Sequence, residues 1–303
     1  MGTGVEAREE TGRPVGRSRI DASGYLLVAF FTVPFLLFNV APLLFGIGVA
    51  FTEWGIIGAP TWVGLQNFRE AWGDPWVWTA FRNIFWYALI IVPGVTVLGL
   101  AFALYVHQRW PLSTLARTLF FTPNVVSATV IGLIWVWVLD TQYGLLNHYL
   151  GAIGLPEIPW LTSPQWSLTG VAIASIWWDL GLAFVLFLAA LQDVPDDLYD
   201  AAAIDGAGRY RQLRHVTLPH LRPVISMVVT LQLIATMRIF SQVYVMTNGA
   251  PVGSSSSPVH YLYQVSVIQY RLGYGAAISV LLFLAIIVAT GVMRLVLREQ
   301  ARG

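Results

Sequence analysis

Two charged residues stand inside otherwise apolar tracts of this sequence, Asp179 in Leu168 to Leu191 and Arg238 in Pro223 to Met246. In hydrocarbon a charge facing lipid costs at least about 2.5 kcal/mol, so each must face other helices or a wet cavity. The two tracts run in opposite directions, and at about 1.5 Å of rise per residue the two charges differ in depth by only about 6 Å. Two chemistries suit such a pair. One is a structural ion pair that locks two helices together. The other is a hydroxyl-binding cluster in which Asp179 accepts, Arg238 donates and the ring of Trp177 or Trp178 covers an apolar face of the solute. Gln242 and Tyr244 can join that cluster, whereas Gln232 is expected to hydrogen-bond a neighbouring helix.

Catalytic and metal chemistry find no comparable constellation. The chain has no cysteine, which removes thiolate ligands and cysteine nucleophiles. It has no lysine either, so it cannot build the Gly-Lys-Ser/Thr phosphate loop of an ATPase. His107, His148, His215, His220 and His260 form no spaced ligand pair within one tract, and His215 and His220 read as solvated loop residues. Asp196 and Asp197 read as helix-start charges. Arg211 and its neighbours read as membrane-flanking charge and not as a nucleic-acid surface. No catalytic residue, metal site or cofactor bound by this chain is expected.

The elements that must position these groups are membrane helices. A chain that is 56% hydrophobic, 11% charged and has a mean hydropathy of +0.66 has too little polar surface for a soluble globule. Tracts near Gly24 to Phe51, Asn83 to Val106, Thr118 to Leu139, Leu168 to Leu191, Pro223 to Met246 and Gly275 to Leu297 satisfy or approach the roughly 20 residues that cross a bilayer as helix. Their continuous apolarity favours an all-α membrane protein of six spans over a barrel of alternating strands. The first tract is too long for a signal-peptide core and is expected to stay as an anchor.

Arginine placement sets the expected orientation. Thirteen of the seventeen lie on one side: Arg8, Arg13, Arg17 and Arg19, Arg109 and Arg117, Arg209, Arg211, Arg214 and Arg222, and Arg294, Arg298 and Arg302. The other side has Arg69, Arg82 and Arg271, so both termini are expected in the cytoplasm. Tryptophans near span ends, Trp54, Trp62, Trp76, Trp78, Trp160 and Trp166, read as a headgroup belt, with a docking role for a minority. The serine run from Pro251 to Pro258 reads as a flexible linker.

Between the fourth and fifth spans, residues Gln192 to Arg222 carry their own logic. Pro195 suits a helix start, Asp196 and Asp197 oppose its dipole, and Leu198 to Ile204 are helix formers. Gly206 and Gly208 should break that helix, and a second amphipathic helix through Tyr210, Leu213, Val216 and Thr217 should end at Pro219. The alanine face permits close approach of a partner, and Asp200 and Asp205 can pair with basic groups on it. On residues alone an ion-driven transporter using Asp179 as a proton or sodium site stays open.

The run Asp200-Ala201-Ala202-Ala203-Ile204-Asp205-Gly206-Ala207, followed by Leu218-Pro219, resembles the "EAA" loop of ABC importer permeases, with Asp200 where that family usually has glutamate. Val63-Gly64-Leu65-Gln66-Asn67-Phe68, Gly144-Leu145-Leu146-Asn147, Trp160-Leu161 and Phe240 to Pro251 resemble further segments of its carbohydrate-uptake branch, the maltose and glycerol-phosphate type. In the last of these Ser241 replaces an aspartate, and Asn248 and Ala250 replace glycines. The resemblance implies a permease domain over 24–297, with tails 1–23 and 298–303 and a coupling loop over 192–222. It implies that Asp200, Ala201, Ala202, Asp205, Gly206, Ala207, Leu218 and Pro219 dock on a separate ATPase, which binds the ATP and magnesium. Its further implications are a second, non-identical permease, two ATPase subunits, an external substrate-binding protein, a place in the cell membrane, and a sugar or sugar-like cargo. A glycerophosphodiester or other small solute is the alternative cargo.

Overall fold

The computed structural model describes residues 22–55, 57–107 and 113–300. Arg8, Arg13, Arg17, Arg19, Arg109 and Arg302 lie outside the described residues, as do the side chains of Arg117 and Arg298 and most of the tails 1–23 and 298–303. The chain divides into two compact units, one ending at Gly46 and one beginning at Ile47. In the first, helix α1 (Ala22–Phe35) runs through a π-turn at Leu36–Val40 into α2 (Ala41–Val49), whose last residues belong to the second unit. Val28–Val49 is apolar and long enough to cross a membrane, as the first tract predicts.

After α2 the second unit forms a two-stranded ribbon, β1 (Thr52–Glu53) antiparallel to β2 (Thr61–Trp62). There follow α3 (Gln66–Gly73), α4 (Pro75–His107), α5 (Ser113–Val125), α6 (Ala128–Val138), α7 (Leu145–Ala152) and α8 (Ser167–Gln192). The remaining helices are α9 (Asp196–Ile204), α10 (Arg209–Gln212), α11 (Leu218–Met237), α12 (Ser241–Met246), α13 (Pro258–Tyr263) and α14 (Leu272–Gln300). The second, fourth and sixth tracts fall within α4, α8 and α14. Among the described residues five helices are long and apolar enough to span, or six if one bent pair counts as a span.

That bent pair corrects the third tract. The helix direction bends by 111° between Thr118–Val125 and Ala128–Val138, so no straight helix runs from Thr118 to Leu139. Pro123 offers no backbone N–H, and Ser127 is extended. Side-chain bonds to α8 compensate: Trp178 Nε1 donates to the Val126 carbonyl at 3.2 Å, and Asn124 Nδ2 donates to the Trp178 carbonyl at 3.4 Å. Broken backbone is tolerated at membrane depth only where neighbours re-satisfy it in this way.

The fifth tract is also broken. α11 stops at Met237, Arg238 caps it, and a new short helix starts at Ser241, so Pro223 to Met246 is not one helix. The Ile239 carbonyl freed at the break accepts from Ser257 Oγ at 2.6 Å. Nor does Pro219 end the helix before it. α10 passes through a π-turn at Leu213–Thr217 into α11, and Arg209–Met237 is continuous. The wider turn takes up the lost N–H and the ring bulk of Pro219, which otherwise clash with the preceding turn.

The serine run is not a flexible linker. Ser255, Ser256 and Ser257 are buried, and Asn83 and Tyr87 of α4 donate to the carbonyls of Gly253, Ser256 and Ser255 at 2.8, 2.9 and 2.9 Å. Ser254 Oγ and Ser167 Oγ lie 2.7 Å apart, and Ser257 Oγ also caps α13. Serines suit this place because each hydroxyl finds a partner within the fold: Ser255 and Ser257 on the carbonyls of Ala250 and Ile239, Ser254 on Ser167 and Ser256 on the His260 ring. Trp160 likewise leaves the expected headgroup belt. It is buried and donates to Asn147 Oδ1 at 3.0 Å, fixing the loop before α8.

Tight packing of small residues joins α4 and α5 to α8. A methyl at Gly99 would sit 3.0 Å from the Ala183 Cβ, and one at Gly181 would sit 2.7 Å from the Phe120 carbonyl oxygen. Around this seam Tyr87, Ile91, Val95, Phe184, Phe187 and Leu191 are buried. Outside it Phe85, Leu89, Phe283, Leu284, Ile287 and Val288 are exposed, as expected where the solvent is lipid.

Candidate functional site

The break between α11 and α12 opens a cavity of about 190 Å³ against the middle of α8. Asp179, Trp178 and Ser175 face it from α8, Thr236 and Ala235 from α11, and Arg238, Phe240, Ser241 and Gln242 from the break and the start of α12. Asp179 Oδ2 accepts from Gln232 Nε2 at 2.6 Å. Among the described residues no ion pair joins Asp179 to Arg238; the one ion pair there is Arg271 with Glu70 at 2.7 Å. Gln232 therefore bonds a neighbouring helix, as expected, and does so through the carboxylate itself.

Several cavity groups keep unused capacity. The Thr236 hydroxyl is buried and has no hydrogen-bond partner among the described residues. Gln242 is buried too and makes no side-chain hydrogen bond there. A buried polar group left unpaired costs free energy, so its presence calls for a bound partner such as water or a solute hydroxyl. The cavity gathers Asp179, Trp178, Arg238 and Gln242 from the sequence reading. Trp177 points elsewhere, 6.0 Å from the Trp135 ring, and Tyr244 stacks on Phe240 at 5.4 Å without lining the cavity. Thr236 and Ser175 were not singled out from sequence. Their signal was present: Ser175 and Asp179, and Gln232 and Thr236, are polar pairs four residues apart in apolar tracts, hence on one helix face.

The second candidate site is the segment after α8. Pro195 precedes α9, and Asp196 and Asp197 occupy its first turn. The helix closes with the Gly206 N–H on the Ala203 carbonyl at 3.0 Å and the Ala207 N–H on the Ala202 carbonyl at 2.8 Å, the bond pair of a Schellman cap. Gly206 stands at φ +73, a conformation that costs residues bearing a Cβ. The motif Asp-Gly-Ala is thus the end of a short rigid helix. Asp200, Ala201, Asp205 and Gly206 are exposed, while Ala202, Ala207, Leu218 and Pro219 are half-buried. Ile204 is 87% exposed and Tyr210 72%, so the segment exposes large apolar side chains as well as acids. Tyr199 Oη and Thr217 Oγ1, 3.0 Å apart, tie α9 to the π-turn that leads into α11. Among the described residues no group of three or more His, Cys, Asp or Glu is placed to hold a metal.

At the far end of α4, Asp74 accepts from the hydroxyls of Tyr274, at 2.7 Å, and Tyr261, and from the Trp76 N–H. Burial pushes its carboxyl up, but these donors outweigh burial and hold it below the usual value.

Residues 95–302 match the family of binding-protein-dependent transport system inner membrane components. The sulfoquinovosyl glycerol transport system permease protein SmoG of Agrobacterium fabrum is 31% identical over 78% of this chain and 77% of its own length. The trehalose/maltose transport system permease protein MalF of Thermococcus litoralis is 30% identical over 87% of this chain and 90% of its own. The fold matches the crystal structure of a bacterial alginate ABC transporter in complex with an alginate pentasaccharide-bound periplasmic protein, with a TM-score of 0.80 at 20% identity, covering 92% of this chain and 95% of that one. The ion-driven alternative for Asp179 falls away with these likenesses. The chain belongs to the binding-protein-dependent transport system inner membrane component family: it is a membrane permease subunit of an ABC importer, not an enzyme, and ATP is hydrolysed on a separate subunit.

Proposed function

We propose that this chain forms one half of the translocation path for a saccharide or related polyol. The observation that carries this reading is the cavity beside the α11–α12 break, where Thr236, Gln242 and Arg238 hold hydrogen-bonding capacity that the described chain leaves unused. A solute rich in hydroxyls uses both donors and acceptors, and Trp178 and Phe240 offer ring surface to its C–H faces. Sulfoquinovosyl glycerol, trehalose or maltose, and alginate, the cargoes of the similar proteins, all have this chemistry. The permease domain is 24–297, with tails 1–23 and 298–303 in the cytoplasm.

A second, non-identical permease completes the path, two ATPase subunits carry ATP and magnesium, and a binding protein delivers the cargo from outside. The surface of Asp200, Asp205, Ile204 and Tyr210 on the 192–222 loop docks on the ATPase. The capped α9 and its Tyr199–Thr217 tie support transmission, because a rigid short helix fixed to the π-turn passes a push into α11. That helix ends at the cavity. The test is purification of a tagged chain from native membranes in mild detergent, reconstitution of what copurifies, and uptake of labelled sugars. Recovery of a second permease and an ATPase, with ATP-dependent sugar uptake, is expected; a lone chain without ATPase turnover overturns the reading.

A further inference from the structure

Of the groups that line the inner cavity, Asp179 and Arg238 are the charged ones, and the two stand differently. Asp179 commits one carboxylate oxygen to the Gln232 amide. Arg238 makes neither an ion pair nor a side-chain hydrogen bond among the described residues, and it is exposed at the break. Ser241, which opens α12 on the far side of the break, brings a hydroxyl and no counter-charge. Arg238 closes the last turn of α11, where the carbonyl end of the helix dipole favours a cation. That attraction is smaller than the cost of a charge inside an apolar tract, so the dipole does not account for the residue.

The uncommitted groups beside it differ in what they can take. Hydroxyls and amides both donate and accept, so Thr236, Ser241 and Gln242 adapt to either need. The guanidinium does not: it offers a planar fork of N–H donors and accepts nothing. A sugar hydroxyl can occupy one of those N–H groups, yet it leaves the charge uncompensated. A carboxylate, sulfonate or phosphate answers the fork and the charge at once, through parallel N–H···O bonds. Asp179 does not supply that group, because among the described residues it forms no ion pair with Arg238.

We infer that the cargo of this chain is an anionic saccharide, whose carboxylate, sulfonate or phosphate is received by Arg238 while its hydroxyls meet Thr236, Gln242 and the free side of Asp179. The inference rests on the reading of the inner cavity as the solute's. At about 190 Å³ that cavity falls below the roughly 300–1,000 Å³ of pockets that enclose a whole small-molecule ligand, so it takes one end of the solute. The two charges decide which end. Asp179 repels the anionic group and Arg238 attracts it, so the solute enters with its acid turned to the α11–α12 break and its hydroxyls to α8.

The test keeps the two readings apart. The copurified assembly, with its binding protein, is reconstituted in vesicles and given hexoses, pentoses and their short oligosaccharides, each beside its uronate, phosphate and sulfonate. ATP-dependent uptake of an acidic member is expected to exceed that of its neutral parent by about tenfold or more. Arg238→Gln, in assemblies that still recover the ATPase, should bring this ratio close to one. Arg238→Lys keeps the charge without the fork and should fall between; it carries the same comparison if Arg238→Gln fails to assemble. A neutral parent taken up as well as its acid by the unaltered chain overturns the inference and leaves the saccharide reading standing. So does an acid preference that persists in Arg238→Gln, or acidic and neutral uptake that fall together. ATP-dependent uptake of no sugar in any form overturns both.

Discussion

Gln232 of α11 donates to the carboxylate of Asp179 in mid-α8 at 2.6 Å, so the acid at membrane depth is held by a neutral amide and Arg238 is left for another partner. An amide needs only an acceptor opposite it, and an asparagine oxygen supplies one. Asp179→Asn is therefore expected to leave assembly and basal ATPase turnover intact. Uptake should fall by about tenfold or more, since hydrogen bonds to a charged group contribute about 1.5–3 kcal/mol. Asp179→Leu strands the Gln232 amide and should destabilise the subunit by about 1–3 kcal/mol. Uptake by reconstituted vesicles and thermal melting of the purified assembly separate these outcomes; a structural role alone predicts that Asn loses nothing in transport.

The Thr236 hydroxyl makes the converse prediction. It is buried and unpaired among the described residues, so Thr236→Val, which keeps the shape and removes the polar atom, should stabilise the empty subunit by about 1 kcal/mol. The same change should weaken uptake, because the solute loses the partner that the hydroxyl was held for. Unchanged uptake together with a higher melting temperature would assign Thr236 to no solute contact.

Much of the fold was legible in the sequence, and the breaks were not. Apolar length located the helices α4, α8 and α14, because lipid imposes one simple requirement on a span. The bends at Ser127 and Arg238 depend instead on distant side chains: Trp178 and Asn124 for one, Ser257 for the other. Nothing near Ser257 marks it as the partner of Ile239 eighteen residues earlier. The serine run was misread for the same reason, since its low complexity suits a linker until Asn83 and Tyr87 are found to bind it. Asp179 and Arg238 stood out because charge is costly in lipid, whereas Thr236 and Ser175 carry no charge and were passed over.

Gly206 offers a test of the short helix that is separate from the cavity. No atom lies within 4 Å of where a Cβ would stand, so the cost of Gly206→Ala is only that of φ +73, about 1 kcal/mol. The assembly should still form. Coupling should suffer, because the cap holds Asp205 and Ala207 in place, so ATPase turnover per solute transported should rise. Gly206→Trp adds bulk on the exposed surface and should abolish recovery of the ATPase in copurification.

His260 predicts a pH dependence that can be read at the opposite end of the molecule. Burial lowers its pKa from the usual 6.5, and its bonds require the neutral ring, with Nδ1 accepting from Ser256 and Nε2 donating to Asn248. With the folded value below the unfolded one, the unfolded chain takes up the proton first as pH falls. Stability is therefore full above the unfolded value and declines as pH drops through the interval down to the folded value. Melting of the assembly should show this decline below about pH 6.5. His260→Gln, whose amide can still donate to Asn248, should lower stability at neutral pH and flatten the decline. Gly249→Ala should disturb the same ring directly, since its methyl would lie 2.6 Å from His260 Cε1 on a backbone at φ +77. A decline that persists unchanged in His260→Gln would place the titrating group elsewhere and remove His260 from the account of how the serine run is held.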